Sequence, residues 1–204
     1  MKKIALLHTA QVNNDLFRQM IIDGSVDGTH VVRDDLLSRA VAAGVFTPEL
    51  NLETQDVLRG LAEGADVVLL TCSTLGPAAD ALGAPNILRV DRALAECAVK
   101  GGGSVAVVVA VETTVTPTKA LFDEEAAKTG AQIEMVMAEN AWPLFQAGDM
   151  DGYITSVAKC AANTKADVIA LAQASMAPAA KLLPGRKVLS SPEAGLAAAL
   201  ALLA

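Results

Sequence analysis

The chain has 204 residues, 52% hydrophobic and 3% aromatic, with a formal net charge of −7. That is enough apolar material for one large domain or two small ones, and the acidic balance without any Lys/Arg block excludes a nucleic-acid protein, which needs a basic footprint. The longest apolar run, Leu196–Ala204, is well short of the ~20 residues of a membrane span, and the run after Lys2-Lys3 is too short for a secretory h-region.

Taken in chain order, short apolar runs predict strands at Ile4–His8, His30–Arg33, Asp66–Thr71, Ile87–Val90, Val105–Val111, Ile133–Ala138, Asp167–Ala172 and Lys187–Ser190. Helical stretches fall between them, among them Asp35–Ala43, Glu53–Glu63, Thr116–Lys128, Tyr153–Asn163 and Pro192–Leu203. Ile4–Leu7, Val67–Leu70 and Val105–Val111 are continuously apolar, as strands are when helices cover both faces of a parallel sheet. The alternation of strand and helix argues an α/β fold.

An internal repeat organises this pattern. Ala65–Ala95 set on Ala166–Leu196 without a gap gives ten identities in 31 positions. Its centre is ADVVLLTCSTLGPAAD (Ala65–Asp80) over ADVIALAQASMAPAAK (Ala166–Lys181), and the same offset of 101 lays KIALLH on SVAVVV (Ser104–Val109). Ala, Val and Leu composition accounts for part of this. One offset held from the first strand to the last helix is not accounted for by composition. The expectation is two pseudo-symmetric three-layer α/β lobes with parallel sheets, residues 1–97 with 192–204 forming the first and 98–191 the second. Open parallel sheets hold ligands beyond the carboxyl ends of their strands, so a ligand cleft is expected between the lobes. The loops to inspect are His8–Val12, Thr71–Gly76, Val111–Thr118 and Ala172–Ala177.

Cys72 closes an apolar strand, with Ser73-Thr74 before a predicted helix. Free backbone N–H groups at a helix start favour a thiolate and hold a carboxylate, which suits moving a proton beside a carboxylate. Three cysteines without CxxC or Cys/His spacing argue against disulfides and structural zinc and for a reduced, cytoplasmic protein. Cys97 and Cys160, both mid-helix, read as small buried hydrophobes. Thr113, Thr114 and Thr116 offer hydroxyls to a carboxylate or enolate oxygen, while Thr116-Pro117 also reads as a helix start. Thr9 and Gln11 fall in the first loop; Gln173 and Ser175 form the second-lobe wall, with helix capping an equal reading for Ser175. His8 and His30 read as structural, Asp34-Asp35 as a helix cap, and Trp142 as packing. No metal set or Walker loop is visible, and Gly101–Gly103 precedes a strand instead of opening a helix, as a connector would.

DVVLLTCSTLGP resembles the first catalytic-cysteine segment of the aspartate/glutamate racemase superfamily. VETTVTPT (Val111–Thr118) resembles its threonine-rich loop, SSPEAGL (Ser190–Leu196) its final strand-to-helix turn, and HTA (His8–Ala10) its first loop. The resemblance spans nearly the full chain and implies cofactor-independent acid/base chemistry on a small amino or dicarboxylic acid, in a homodimer or higher oligomer. It also implies a cysteine from each lobe, on opposite faces of the substrate's α-carbon. The repeat puts Gln173 where the second should stand, and an amide cannot serve as acid or base near neutral pH. A one-cysteine isomerase or decarboxylase-like enzyme at Cys72, and a non-catalytic carboxylate binder, are the readings left open.

Overall fold

The computed structural model describes residues 2–21 and 26–204. The first lobe runs β1 (Lys3–His8), α1 (Gln11–Met20), β2 (Asp27–Val32), α2 (Asp34–Ala43), α3 (Pro48–Ala62), β3 (Val67–Leu70), α4 (Gly76–Leu82), β4 (Ile87–Arg89) and α5 (Val90–Val99). The second runs β5 (Ser104–Val109), α6 (Glu112–Ala126), β6 (Gln132–Met137), α7 (Ala141–Gln146), α8 (Met150–Ala162), β7 (Val168–Leu171), a 3-10 helix (Ala174–Leu182), β8 (Val188–Ser190) and α9 (Ser191–Leu202). Each half makes a four-stranded sheet, ordered β2-β1-β3-β4 and β6-β5-β7-β8. All pairings are parallel.

The repeat is visible in the register. Ile4 pairs with Val67 as Val105 pairs with Val168, and Leu70 pairs with Arg89 as Leu171 pairs with Ser190, each displaced by 101 residues. The offset is not unbroken, however. Lys3 pairs with Asp27 but Ser104 with Gln132, so the second strand is displaced by four residues more. The difference arises around α6, which has 15 residues against 10 in α1, and is recovered before β7.

Helices cover both faces of each sheet, which is why the central strands are wholly apolar. In the first lobe Ala5, Leu7, Val68 and Leu70 pack on α2, α3 and α4 through Leu36, Ala40, Leu58 and Ala78. The opposite face, Ile4, Leu6, Val67 and Leu69, meets Phe17 of α1 and Leu196, Ala199 and Leu203 at the C-terminal helix. In the second lobe Val105, Val107 and Val109 meet Leu94, Ala95 and Ala98 of α5 and Phe122 of α6. Val108, Ile169 and Leu171 face Tyr153 and Val157 of α8. So α5 packs on the second sheet and α9 on the first.

The two exchanged helices approach closely at Gly195. A Cβ there would lie 2.7 Å from the Val90 carbonyl oxygen and 2.9 Å from its Cα, a backbone contact that cannot be relieved by a rotamer change. Gly195→Ala is therefore expected to destabilise the fold by about 1–3 kcal/mol, despite the better helix propensity of alanine. A lowered urea midpoint with an unchanged slope would be the sign.

At the end of β4 the side chain of Arg89 is 3% exposed and clasps Asp91 with two bonds, Nε at 2.7 Å and an Nη at 2.9 Å. Arg89 also pairs with Asp80, and Asp80 with Arg92, which reaches Glu124 and Glu125 on α6. The guanidinium occupies the space where a Cβ on Gly76 would stand, so a larger residue there would displace Arg89 from its carboxylates. The second lobe has Ser190 and Ala177 at the equivalent positions.

Several local expectations are corrected. α6 begins at Glu112, four residues before the expected Thr116-Pro117 start, and Pro117 lies inside the helix. Asp34 and Asp35 sit in the first turn of α2 and make no cap; Asp35 instead pairs with Arg33 at 2.7 Å. Cys97 is exposed and Cys160 only half-buried, so neither is the buried hydrophobe expected. Among the described residues no helix is long and apolar enough to cross a membrane.

Candidate active site

The carboxyl ends of the four central strands face one another across the lobe boundary. Short turns leave them: Thr9-Ala10 after β1, Thr71–Leu75 after β3, Ala110-Val111 after β5 and Ala172-Gln173 after β7. Among the described residues, two side-chain hydrogen bonds cross the boundary at these turns. Ser73 Oγ donates to the Ala172 carbonyl at 2.8 Å, and the hydroxyls of Thr74 and Thr114 lie 2.8 Å apart. Around these bonds is a cavity of about 30 Å³, lined by Thr9, Cys72, Ser73, Thr74, Thr114, Gln173 and Ser175. The structure thus brings together seven of the ten residues singled out from the sequence.

Gln11, Thr113 and Thr116 are not among them. Gln11 is exposed at the start of α1, where its amide donates to Asp15 at 2.8 Å. Thr113 and Thr116 turn to a separate groove beside Phe46 and Pro77, because an α6 that starts at Glu112 places them on one face and Thr114 on another.

Cys72 is 8% exposed. Burial pushes its thiol above the ordinary value, and the Asp91 carboxylate adds to this; the Thr9 hydroxyl and the N–H groups of Leu75 and Thr74 pull the other way. The groups that favour a thiolate are in place as expected, but desolvation outweighs them, so the resting group is the neutral thiol. The helix that follows, α4, has only seven residues and contributes little field.

His8 gives Cys72 no imidazolium partner. It is fully buried, with Nδ1 2.9 Å from Thr71 Oγ1 and Nε2 3.0 Å from His30 Nδ1. The Thr71 hydroxyl donates to the Leu7 carbonyl at 3.1 Å, so His8 Nδ1–H donates to Thr71 and His8 Nε2 accepts from His30. Burial first, then His30 and Arg18, lower the His8 pKa to about 3, and the ring stays neutral.

The second-lobe wall differs in kind. Gln173 stands at the N-cap position of the 3-10 helix without capping it through its side chain, and its Oε1 accepts from the Ala110 N–H. That bond orients the amide so that its NH₂ is the free end, a donor where a thiol would stand. In the repeat, Ala110 replaces Thr9 as Gln173 replaces Cys72, so the hydroxyl and the sulfur it serves are absent from this lobe together. The Ser175 hydroxyl lies 2.8 Å from the buried Tyr153 hydroxyl. It makes no helix cap.

Other residues of the site were not anticipated. Asn13 is 7% exposed and lines the cavity, and its side-chain oxygen has no hydrogen-bond partner among the described residues. It stands 101 residues before Thr114, so the repeat itself pointed to it. Trp142, expected as packing, also lines the cavity and stacks on Phe145, centroids 5.0 Å apart and planes at 12°. Leu37, Trp142, Phe145, Thr9 and Ala10 are shared with an outer vestibule of about 440 Å³.

No family model matches the chain, and no curated protein does. Solved structures do. The aspartate racemase of Picrophilus torridus superposes with a TM-score of 0.76 at 14% identity, over 99% of this chain and 94% of that one. A glutamate racemase of Bacillus anthracis gives 0.73 at 13%, over 99% and 81%. The allantoin racemase of Klebsiella pneumoniae gives 0.62 at 13%, over 100% and 88%. The two-lobed α/β fold is that of the aspartate, glutamate and allantoin racemases.

Proposed function

We propose that this chain, built on the racemase fold, is a cofactor-independent isomerase-like enzyme of the aspartate/glutamate racemase superfamily that moves a proton at the carbon beside a carboxylate. The observation that carries the reading is Cys72, buried at the lobe boundary among hydroxyl and N–H donors, with an amide donor at its repeat-equivalent position. A carboxylate entering between the lobes separates the Thr74 and Thr114 hydroxyls and takes them as donors, as it takes the Gln173 NH₂. The Asn13 side-chain oxygen, buried and unpartnered, accepts an N–H of the ligand, which favours an amino acid over a nitrogen-free diacid. The Cys72 thiolate takes the α-proton; the electron pair left on carbon moves into the carboxylate as an enediolate, held by those donors. Return of a proton from the same sulfur restores the starting hand, and delivery from water at the Gln173 face inverts it.

The test is α-proton exchange in deuterated water with small amino and dicarboxylic acids, followed by NMR and optical rotation. Exchange is expected, and it should rise about tenfold per pH unit from pH 7 towards pH 9, because the neutral thiol must ionise first. A non-catalytic carboxylate binder is the second reading, favoured by Gln173 and by the same neutral thiol. Ligand-dependent stabilisation without exchange, unchanged in Cys72→Ala, selects it.

A further inference from the structure

The outer vestibule bears on which acid the site takes. The inner cavity, at about 30 Å³, has room for roughly one water, so the reacting end of a ligand fills whatever space the lobes release there. Any substituent on the α-carbon must leave through the shared wall of Leu37, Trp142 and Phe145 into the vestibule of about 440 Å³. That vestibule is walled by Leu37, Val41 and Ala42 on one face of α2, and by the stacked pair Trp142–Phe145 on α7. Among the described residues, neither hollow is lined by a lysine, arginine or histidine. The cations nearest in sequence are engaged elsewhere: Arg33 binds Asp35 and Glu53, and Arg39 binds Glu53. Among the described residues, the one charged residue lining the vestibule is Asp34.

We infer that the ligand of this cleft carries an uncharged, apolar side chain, aromatic or long aliphatic, seated against Trp142, Phe145 and Leu37. This rests on the reading of Cys72 as the group beside the α-carbon. An acidic side chain here is desolvated against apolar walls, faces Asp34 and meets no cation. A basic one gains little from Asp34, which is exposed and screened by water. An aliphatic or aromatic group covers the stacked rings and removes their surface from water.

The experiment compares kcat/KM for α-proton exchange with phenylalanine, norleucine, glutamate and lysine, and titrates the same acids against intrinsic fluorescence. Trp142 is the only tryptophan in the chain, so its emission reports occupancy of the vestibule directly. Phenylalanine and norleucine are expected to exchange about tenfold or more faster than glutamate and lysine and to shift Trp142 emission at lower concentration. Leu37→Arg should raise the glutamate-to-phenylalanine ratio about tenfold by supplying the missing cation. Glutamate or lysine matching or exceeding phenylalanine, or a ratio unmoved by Leu37→Arg, overturns the inference while leaving Cys72 chemistry standing. Apolar acids that shift the emission without any exchange support the inference and sink the catalytic reading instead. No emission response to any apolar acid overturns it.

Discussion

Cys72→Ala is expected to lower α-proton exchange by about 10²–10⁴-fold, the range lost when a positioned acid/base group is removed. The fold should survive, since the sulfur is one small group in a cavity wall and makes no inter-lobe hydrogen bond of the kind Ser73 and Thr74 make. Gln173→Cys is the complementary change. With sulfur on one face only, exchange should run ahead of inversion, because the second proton arrives from water without a positioned donor. A thiol at position 173 supplies that donor, and the ratio of inversion to exchange should rise about tenfold or more. The substitution also frees the Ala110 N–H from Gln173 Oε1, leaving one more donor directed at the site. Chiral chromatography beside NMR exchange in the same samples reads the ratio. An inversion-to-exchange ratio identical in the two proteins would mean that the faces of the cleft are not the faces of the substrate.

Asp91→Ala should be the most destabilising single change away from the cleft, at about 3–5 kcal/mol. Asp91 is wholly buried and meets Arg89 through both carboxylate oxygens, while the remaining partner, Asp80, is part-exposed and shared with Arg92. Removing it strands a guanidinium that cannot lose its proton. Against a typical 5–15 kcal/mol for a whole protein, that is a large share, read as a lower urea midpoint. Arg89→Met combined with Asp91→Leu should recover most of the loss, because no charge is then left unpaired. A second effect has the opposite sense for chemistry: the Asp91 carboxylate helps to hold the Cys72 thiol up, so the folded fraction of Asp91→Ala should alkylate faster at Cys72.

The central strands were legible because burial on both faces leaves an unbroken apolar run, as in VVLL (Val67–Leu70) and SVAVVV (Ser104–Val109). Among the edge strands, β4, β6 and β8 were read to within one residue at each end, and β2 was not. β2 begins at Asp27, three residues before the expected His30, since its exposed residues carry no apolar signal. α1 was missed for a related reason: QVNNDLFRQM buries only Asn13, Asn14 and Phe17, so its inner face is mostly polar. The β-branched TTVT segment reads as a loop, yet α6 starts directly after β5 and takes those residues in. At the site, residues on strand ends were found because strand direction fixes where they point. Trp142 and Leu37 were not, because the face a helix turns to a neighbouring lobe depends on how the lobes dock, which one lobe's pattern does not contain.

The exchange of α5 and α9 between the lobes has a consequence for the half-molecule. Cut at the glycine connector, residues 101–103, the first half keeps its sheet but loses Leu196, Ala199 and Leu203, the cover over Ile4, Leu6, Val67 and Leu69. It also retains α5, whose Leu94, Ala95 and Ala98 are shaped for the other sheet. Two copies of such a half can satisfy each other, the α5 of each lying on the sheet of its partner about a twofold axis. The uncut chain is in that sense a covalently joined domain-swapped dimer, whose two halves have been free to diverge. Cys72 and Thr9 on one side, Gln173 and Ala110 on the other, are what that divergence looks like at a single pair of strand ends.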